Sequence, residues 1–238
     1  MAKIITTASW KGGTGKTTLN TALIRLLAEG GKKVLIIDLD SNCAISQVFG
    51  QILKDITSME FLSAGIDNFK GVYPCAENID IIPGNIKNVL LNNISDVQLK
   101  INLKRSGLGE KYDYIIIDPP GYLGAHTRNA LFAADVLIIP GTCSRIDFEA
   151  TRLFFEEVQQ YGLDADTYIC INAFNAKTNL PGICEMYQET FGEFLIPDPV
   201  PYISSLKKLT NDFRYPLHAS VRKRLENYVN YVIGGKNA

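Results

Sequence analysis

A glycine-rich loop close to the N-terminus constrains the fold more than any other feature of the chain. Residues 9–18 read SWKGGTGKTT, and they follow an apolar run at residues 3–7 and precede a helical pattern. Glycines let successive backbone N–H groups converge on phosphate oxygens, and a following helix presents free amides and a positive dipole end to the same anion. This order of strand, loop and helix predicts a phosphate-binding loop in an α/β fold.

The loop lacks the first glycine of the standard pattern G-x-x-x-x-G-K-[ST], because Trp10 stands in that position. Gly15, Lys16 and Thr17 keep the remaining chemistry. Lys16 is predicted to lie between the terminal phosphates, and Thr17 to offer its hydroxyl to Mg²⁺, a hard cation that prefers oxygen ligands and retains water. A solvated glycine-rich turn is the alternative, but the flanking strand and helix favour a phosphate loop.

Residues 11–17 resemble the deviant loop of the ParA/MinD family of ATPases, K-G-G-x-G-K-[ST], at every fixed position. In that family the first lysine, here Lys11, reaches across a dimer to the partner's nucleotide. The resemblance therefore implies ATP and Mg²⁺ as cofactors, a homodimer that forms with ATP, and catalytic roles for Lys11 and Lys16. It also implies a set of nucleotide-binding residues in the loop, namely Lys11, Gly12, Gly13, Thr14, Gly15, Lys16, Thr17 and Thr18.

Continuous apolar runs alternate with helical patterns along the rest of the chain. The runs suit parallel strands covered on both faces, and they lie at residues 34–37, 79–82, 114–117, 136–139 and 168–171. The helical patterns lie at residues 17–29, 88–105, 147–161 and 183–191. The alternation predicts an α/β fold with a doubly wound, mostly parallel sheet and helices on both faces. Together with the loop, the resemblance implies a P-loop NTPase fold of the deviant Walker A type.

No linker or internal repeat interrupts the pattern, so we expect a single domain over residues 1–238, without a separate N-terminal DNA-binding domain. Residues 50–78 are the least regular part, because their apolar residues follow neither the strand nor the helix period. Two interpretations stay open for them: short helices packed on the sheet, or a lid that moves with nucleotide.

Two aspartates end the second predicted strand, in the sequence Asp38-Leu39-Asp40. Side chains alternate along a strand, so both carboxylates can share one side of its C-terminal edge, where ligands bind in open α/β sheets. A helix cap or a solvated turn is the alternative. In the ParA/MinD family the second aspartate belongs to switch I and helps to position the attacking water. The resemblance thus implies a catalytic role for Asp40 and a water-mediated magnesium contact for Asp38.

A third carboxylate follows the most hydrophobic strand, in the sequence IDPPG at residues 117–121. The pattern resembles a Walker B strand followed by switch II, although the family usually shows D-x-P-P where this chain has D-P-P-G. An aspartate that ends a buried strand beside a phosphate loop can hold a magnesium-bound water. The predicted magnesium residues are therefore Thr17, Asp38 and Asp118.

The resemblance also locates the base of the nucleotide. The strand at residues 168–171 ends at Asn172, and in ParA/MinD relatives a polar residue there reads the adenine edge. In the same relatives the chain after the last strand lines the other side of the base. That segment here, residues 195–202, contains Pro199 and Pro201, which stiffen an extended path. A rigid connection without ligand contact is the alternative for this segment.

Six cations gather near the C-terminus. Members of the family bind DNA without sequence preference through C-terminal cations of the dimer, so the resemblance implies a DNA surface here. An ordinary solvated helix face is the alternative. The formal net charge is −1, so any affinity for DNA has to come from a local cluster. The six cations are Lys207, Lys208, Arg214, Arg222, Lys223 and Arg224.

The last helical pattern carries an apolar stripe beside those cations. A terminal amphipathic helix commonly packs on the domain core, and in a MinD-like protein such a helix binds a membrane. We expect core packing and no membrane partner. The stripe consists of Val221, Leu225, Tyr228, Val229 and Val232.

Cysteine spacing and the N-terminal sequence narrow the class of protein further. The five cysteines lie far apart without a C-x-x-C pair, which argues against a disulfide framework, a zinc site and the iron–sulfur relatives that share the deviant loop. His126 and His218 stand alone in the sequence, without a visible metal or catalytic partner. The chain shows no signal-peptide pattern, so we expect a cytoplasmic protein, associated with the nucleoid if it binds DNA.

The patterns lead to one expected function and two alternatives. The expected function is a DNA partition ATPase. ATP closes a sandwich dimer that binds DNA nonspecifically, and Mg²⁺-dependent hydrolysis, stimulated by a centromere-binding ParB-like partner, releases the DNA. Residues 140–150 resemble a passage of small partition ATPases and imply a dimer contact there. The alternatives are a MinD-like membrane-associated positioning ATPase and a dethiobiotin-synthase-like enzyme, which the motifs at Lys11 and Asp40 disfavour.

Overall fold

The computed structural model describes residues 1–63, 66, 69–175, 177, 179–202 and 204–234, and these residues form a seven-stranded sheet. The strands are β1 (Lys3–Thr7), β2 (Val34–Asp38), β3 (Tyr73–Ala76), β4 (Ile79–Ile82), β5 (Tyr114–Asp118), β6 (Val136–Gly141) and β7 (Asp166–Ile171). Their order in the sheet is β3-β4-β2-β5-β1-β6-β7, and all neighbours are parallel except β3 and β4. The predicted mostly parallel sheet is confirmed.

Helices cover both faces of the sheet, as predicted. One face carries α1 (Lys16–Glu29), α2 (Ala44–Val48), α8 (Ser204–Leu209) and α9 (Ala219–Gly234). The opposite face carries α3 (Ser58–Ser63), α4 (Gln98–Ser106), α5 (Ala125–Ala133), α6 (Arg145–Gln160) and α7 (Ile183–Phe191). Short 3₁₀ turns lie at Ile86–Leu90, Leu108–Glu110 and Gly192–Phe194.

The central strands are buried on both faces, which explains their continuous apolar sequences. Along β2, Val34 and Ile36 pack into the cluster beneath α1, whereas Leu35 and Ile37 pack into the cluster beneath α3, α4 and α5. Parallel strands bring their carboxyl ends to one edge of the sheet. The ends of β1, β2 and β5 therefore meet beside the start of α1, and Asp38 pairs in register with Asp118.

One predicted helix has the wrong extent. The pattern at residues 88–105 predicts a single helix, but the structure contains the 3₁₀ turn Ile86–Leu90 and the separate helix α4. The side chain of Asn129 on α5 explains the break, because its Nδ2 donates to the carbonyl of Ser95 at 2.9 Å and its Oδ1 accepts from the N–H of Leu99 at 2.8 Å. A tertiary contact thus replaces local helical bonds, and sequence periodicity does not record it.

The irregular stretch at residues 50–78 contributes short packed elements. Phe61 and Leu62 of α3 lie in the cluster beneath the sheet face, and β3 adds an antiparallel edge strand that was not predicted. Pro74 in β3 is tolerated because an edge strand leaves one side unpaired. These described residues favour packed elements over a lid. Ala64, Gly65, Asp67 and Asn68 lie outside the described residues.

Helix α9 packs on the core through its whole apolar stripe. Val221, Leu225, Tyr228, Val229 and Val232 are all buried in the cluster beneath α1. The expected core packing of the stripe is confirmed. Within the part of the chain that the structure describes, no helix is both long enough and apolar enough to cross a membrane.

Truncation of the α9 stripe should destabilise the fold. Leu225 is 1% exposed, so Leu225→Ala removes buried methyl groups, leaves a cavity and should lower the free energy of unfolding by about 2–5 kcal/mol. The exposed Asn230 on the same helix provides the control, since Asn230→Ala should change that free energy by no more than about 0.5 kcal/mol. Urea unfolding measures both variants, and equal decreases would contradict the packing of α9.

Candidate nucleotide-binding site

The loop between β1 and α1 has the backbone shape of a phosphate cradle. Gly13 and Gly15 adopt φ values of 83° and 92°, a left-handed region that strains any residue with a Cβ. A Cβ at Gly15 would in addition lie 2.1 Å from the Nδ2 atom of Asn172. Ser9 stiffens the loop from within, because its hydroxyl lies 2.8 Å from that of Thr14. Sequence analysis did not single out Ser9.

Lys16 lies beneath this loop at the first position of α1 and is 8% exposed. Burial lowers the pKa of Lys16, while the charges of Asp118 and Asp40 act in the opposite direction. The loop after β5, residues 119–124, is called switch II here. A Cβ at its Gly121 would lie 3.2 Å from the Nζ atom of Lys16 and from the backbone of Gly12. The phosphate loop and switch II are therefore in contact around the lysine.

Asp118 joins the end of β5 to α1. Its Oδ2 atom accepts a hydrogen bond from the hydroxyl of Thr17 at 2.9 Å, and its Oδ1 atom accepts one from the amide of Asn20 at 2.7 Å. Asn20 in turn accepts a hydrogen bond from the hydroxyl of Thr7 at the end of β1, at 2.6 Å. Burial raises the pKa of Asp118 to about 6, although Thr17, Lys16 and Asn20 lower it. These three neighbours thus favour the ionised form of the carboxyl, against the effect of burial.

Asn20 is a site residue that sequence analysis missed. It is fully buried, on the face of α1 that packs on the sheet. The available signal is its spacing, since Asn20 falls in register with the apolar residues Leu23, Ile24 and Leu27. A polar side chain at such a position needs a buried partner. Only the structure identifies that partner as Asp118.

The donor set at Asp118 fits a magnesium ion. The Thr17 hydroxyl and the Asp118 carboxylate are oxygen ligands that already lie side by side. Mg²⁺ in nucleotide sites is held by one or two protein oxygens, by water and by substrate phosphates. Among the described residues no group of three or more His, Cys, Asp and Glu side chains is placed to hold a metal. Thr17 and Asp118 would thus share the ion with a bound nucleotide.

Asp38 ends β2 next to Asp118 but bonds to different partners. It is fully buried, and its Oδ2 accepts hydrogen bonds from the hydroxyl of Ser46 on α2 at 2.5 Å and from the N–H of Ser46 at 3.1 Å. Burial, followed by the charge of Asp118, raises the pKa of Asp38 to about 8. The Ser46 hydroxyl also accepts from the N–H of Gly84 at 2.9 Å. Asp38 thus fastens α2 to the sheet edge, and its magnesium contact stays a prediction.

Asp40 lies beside the phosphate loop and is half-buried. Its Oδ1 atom accepts hydrogen bonds from the N–H of Asn42 at 2.9 Å and from the side-chain amide of Asn42 at 3.1 Å. Burial is the largest influence on the pKa of Lys16, which it lowers, and of Asp118, which it raises, and the charge of Asp40 makes a smaller upward contribution to both. Asp40 is therefore within electrostatic reach of the groups that would surround a terminal phosphate, and its catalytic role stays a prediction.

A cavity of about 880 Å³ opens in front of the loop, a volume that suits a small-molecule ligand such as a nucleotide. Its walls are the phosphate loop with the start of α1, Asp40 and Asn42, helix α2, switch II, and Thr210 after α8. Asp38, Asp118 and Asn172 lie behind these walls, buried against the loop or the sheet edge. The structure thus brings the predicted loop residues and Asp40 together around one space.

Lys11 lies on the outer side of the loop and pairs with Asp147 on α6. The Lys11 side chain is 47% exposed and that of Asp147 is 13% exposed. Burial raises the pKa of Asp147, but hydrogen bonds from Lys11, Thr142 and Ser144 outweigh it, so the pKa is lowered overall. The described residues that line the cavity do not include Lys11. Its contact with a partner's nucleotide stays a prediction.

Asn172, predicted to read the base, lies directly behind the phosphate loop. It is 7% exposed, and its amide donates to the carbonyl of Thr14 at 2.7 Å. The segment that contains Pro199 and Pro201 runs beside β7, because the N–H of Val200 donates to the last carbonyl of that strand at 2.8 Å. Contacts of Asn172, Pro199 and Pro201 with adenine stay predictions.

The C-terminal cations fall into two groups. Arg222 forms ion pairs with Glu29 at 2.6 Å and with Glu226 at 2.9 Å. Lys208 lies over the ring of Tyr215 and donates to its hydroxyl at 3.0 Å. The other four are exposed and form no ion pair with a described residue: Lys207, Arg214, Lys223 and Arg224.

Comparison with known proteins agrees with this geometry. A family model described as an AAA domain matches residues 2–168. The sporulation initiation inhibitor protein Soj of Bacillus subtilis is 32% identical over 200 residues, and the match covers 76% of this chain and 76% of Soj. The chain belongs to the ParA/MinD family of ATPases.

Two solved structures of nucleotide-bound proteins are similar to this member of the ParA/MinD family. A plasmid partition protein of Borrelia burgdorferi bound to AMPPNP has a TM-score of 0.82 and 26% identity, over 98% of both chains. MinD of Pyrococcus horikoshii complexed with Mg-ADP has the same fold, with a TM-score of 0.79 and 24% identity over 100% of this chain and 99% of MinD. AMPPNP and Mg-ADP are thus bound by proteins that share this fold. Its membership of the ParA/MinD family makes this protein an ATPase.

The link from Asn20 to Asp118 should appear in the pH dependence of Mg²⁺-dependent ATP binding. Burial raises the pKa of the Asp118 carboxyl to about 6, so the carboxyl should lose its charge, and with it the predicted magnesium contact, as the pH falls through that value. Asn20 lowers this pKa, so Asn20→Ala should move the midpoint of the acid loss to higher pH.

A fluorescent ATP analogue titrated between pH 5 and about 8 measures this midpoint. The terminal phosphate titrates at about pH 6 as well, so the difference between the wild-type protein and Asn20→Ala is the quantity compared. Thermal unfolding at each pH checks that both proteins are folded. Equal midpoints in the two proteins would contradict the role of Asn20.

Proposed function

We propose that the protein is an ATP-dependent DNA partition ATPase. ATP binding drives a sandwich dimer, the dimer binds DNA without sequence preference, and hydrolysis stimulated by a centromere-binding ParB-like partner releases the DNA. The observation that carries the proposal is the position of Lys11, which projects from the outer side of the loop instead of into its own cavity. The likeness to a plasmid partition protein supports partition as the process.

Within one protomer, each residue of the cavity has a distinct part in hydrolysis. The N–H groups of the loop bind the phosphates, and Lys16 neutralises the charge between the terminal ones. Thr17 and Asp118 hold Mg²⁺, which when bound supplies further positive charge at the phosphates. Asp40 orients the attacking water. Gly121 contacts the loop closely enough to follow the terminal phosphate.

Lys11 completes the site of the second protomer. Its ion pair with Asp147 is partly exposed, and such pairs contribute about 1 kcal/mol or less to stability. The phosphates of a bound nucleotide offer the lysine a stronger anion with several acceptor oxygens. Lys11 therefore gains by leaving Asp147 for a nucleotide of the partner only when ATP is bound to that partner. This condition couples formation of the dimer to ATP binding.

Helix α1 connects the phosphate loop to the candidate DNA surface. Near its far end, Arg25 donates to the carbonyl of Tyr215 at 2.5 Å and to that of Phe213 at 3.4 Å. Glu29 at the end of α1 pairs with Arg222 of α9. The exposed cations on α8, on α9 and between them thus stand on elements held by α1. This connection supports a DNA surface that responds to nucleotide.

The two alternative functions find less support. A MinD-like membrane contact requires the apolar stripe of α9, and that stripe is buried in the core. A dethiobiotin-synthase-like enzyme would use its loop for phosphoryl transfer to a small substrate and has no need of a lysine on the outer side of the loop. The partition proposal accounts for both features.

Exposed cations of α9 should be needed for DNA retention. The wild-type protein should retard nonspecific duplex DNA more with ATP than with ADP. The double variant Lys223→Ala/Arg224→Ala should bind more weakly, and the negative slope of log affinity against log salt should decrease in magnitude by about 0.9 for each phosphate that the variant no longer binds. The matched control is Lys100→Ala/Lys104→Ala, since these exposed lysines lie on α4, on the opposite face of the sheet.

Electrophoretic mobility shifts over a salt series measure both effects. If the wild-type protein shows no ATP-dependent retention at low salt, the proposed DNA binding is wrong. An equal loss of DNA affinity in the two double variants would show that α9 is not part of the DNA surface.

A further inference from the structure

Exposed aliphatic side chains are concentrated in one short part of the chain. Among the described residues, five of the fourteen large hydrophobic side chains that are exposed fall within residues 86–101. Single exposed apolar residues are normal, whereas a cluster of them with a polar rim is typical of an interaction site. The five residues, called the aliphatic surface here, are Ile86, Val89, Leu90, Val97 and Ile101.

Two buried asparagines anchor both halves of the aliphatic surface to α3. Asn88, in the 3₁₀ turn Ile86–Leu90, donates from its Nδ2 atom to the hydroxyl of Ser58 at 2.9 Å. Asn102 of α4 donates from its Nδ2 atom to the carbonyl of Phe61, one helical turn further along α3, at 2.5 Å. Each asparagine is 1% exposed. Buried hydrogen bonds therefore hold the 3₁₀ turn and α4 against neighbouring turns of the same helix.

The residues of the aliphatic surface lie on the outer sides of these two elements. On α4 the inner side is formed by Leu99, Asn102 and Leu103, which are buried. The N–H of Ile101 donates to the carbonyl of Val97 at 3.0 Å, so Ile101 lies one turn above Val97 on the exposed side. The side chains of the aliphatic surface are thus available to a partner while the backbone beneath them is fixed.

The rim of the aliphatic surface is basic. Residues 84–109 contain four cations and one acid, Asp96, which an arginine of α5 pairs at 2.8 Å. Lys87 in the 3₁₀ turn and Lys100 and Lys104 on α4 are exposed, and none of them forms an ion pair with a described residue. A complementary partner therefore carries negative charge beside its apolar groups.

We propose that the aliphatic surface docks an acidic amphipathic helix of a partner protein. Such a helix offers apolar side chains at positions i, i+3, i+4 and i+7, with carboxylates beside them. A second copy of the same surface would bring like charges together. An anionic bilayer is a poorer match, because the aliphatic surface contains none of the Trp and Tyr side chains that anchor proteins at a bilayer interface.

The position of the aliphatic surface makes the inference independent of the proposed function. Helices α3 and α4 pack on one face of the sheet, whereas α8 and α9, with the candidate DNA surface, pack on the other. Occupation of the aliphatic surface therefore requires neither DNA binding nor ATP hydrolysis.

Selection from a displayed library of helical peptides tests the charge and shape of the occupant. The immobilised protein carries ADP, so that dimer formation with ATP does not intervene. The most enriched peptides should be acidic, with apolar residues at helical spacing. A selection that enriches no peptide, or only neutral and basic ones, would overturn the proposal.

Fluorescence anisotropy with an enriched acidic peptide then tests the location. Leu90→Glu/Ile101→Glu should weaken binding at least about tenfold, because like charges then face the peptide. Lys100→Ala/Lys104→Ala should also weaken binding and reduce its salt dependence. The matched control is Leu153→Glu, at an exposed leucine of α6, which should bind the peptide as the wild-type protein does.

Thermal unfolding checks that each variant is folded. Equal affinity of the wild-type protein and Leu90→Glu/Ile101→Glu for the peptide would overturn the assignment of the surface, and so would an equal loss in Leu153→Glu. Phosphatidylserine vesicles provide a second arm. Vesicle binding by the wild-type protein that Leu90→Glu/Ile101→Glu abolishes would overturn the protein partner in favour of a membrane.

Discussion

The buried carboxylate of Asp118 is the contact on which the rest of the site depends. Asp118 is the last residue of the central strand β5, and its carboxylate accepts hydrogen bonds from both Thr17 and Asn20, the second and fifth residues of α1. Asn20 carries the same network to the end of β1. Two strand ends and the helix that follows the phosphate loop are thereby held in one geometry. The glycines can then present their N–H groups to a phosphate without further adjustment.

Charge balance around this contact explains the positions of the other ionisable groups. Two buried carboxyls, Asp38 and Asp118, end adjacent strands in register, and burial, followed by the charge of Asp118, raises the pKa of Asp38. Ser46 satisfies Asp38, while Thr17, Asn20 and the charge of Lys16 lower the pKa of Asp118. The two acids therefore differ in their partners: Asp38 fastens α2, and Asp118 bonds to α1 through groups that favour its ionised form.

Sequence periodicity predicts the strands and helices in which buried residues follow a regular pattern. The central strands agree within one or two residues, and α7 covers the predicted residues 183–191. The helix predicted at residues 88–105 has the wrong extent because Asn129, a residue of another helix, supplies the bonds at the break. Strand β3 was missed because it is short and contains a proline. A local sequence pattern does not reveal contacts between residues that lie far apart in the chain.

The same limit applies to the site. Lys11, Lys16, Thr17, Asp40 and Asp118 follow from motif spacing and family resemblance, since these residues stand in the loop or directly after strands. Asn20 and Asp147 depend on partners 98 and 136 positions away. The sequence thus predicts the candidate phosphate and magnesium residues better than the residues that position them.

The central claim is that Lys11 serves the nucleotide of a second protomer. Asp40→Ala protein, in which hydrolysis is slow, should sediment as a dimer with ATP in analytical ultracentrifugation. The double variant Lys11→Ala/Asp40→Ala should bind ATP equally well and remain monomeric. A double variant that dimerises with ATP as readily as Asp40→Ala would contradict the account.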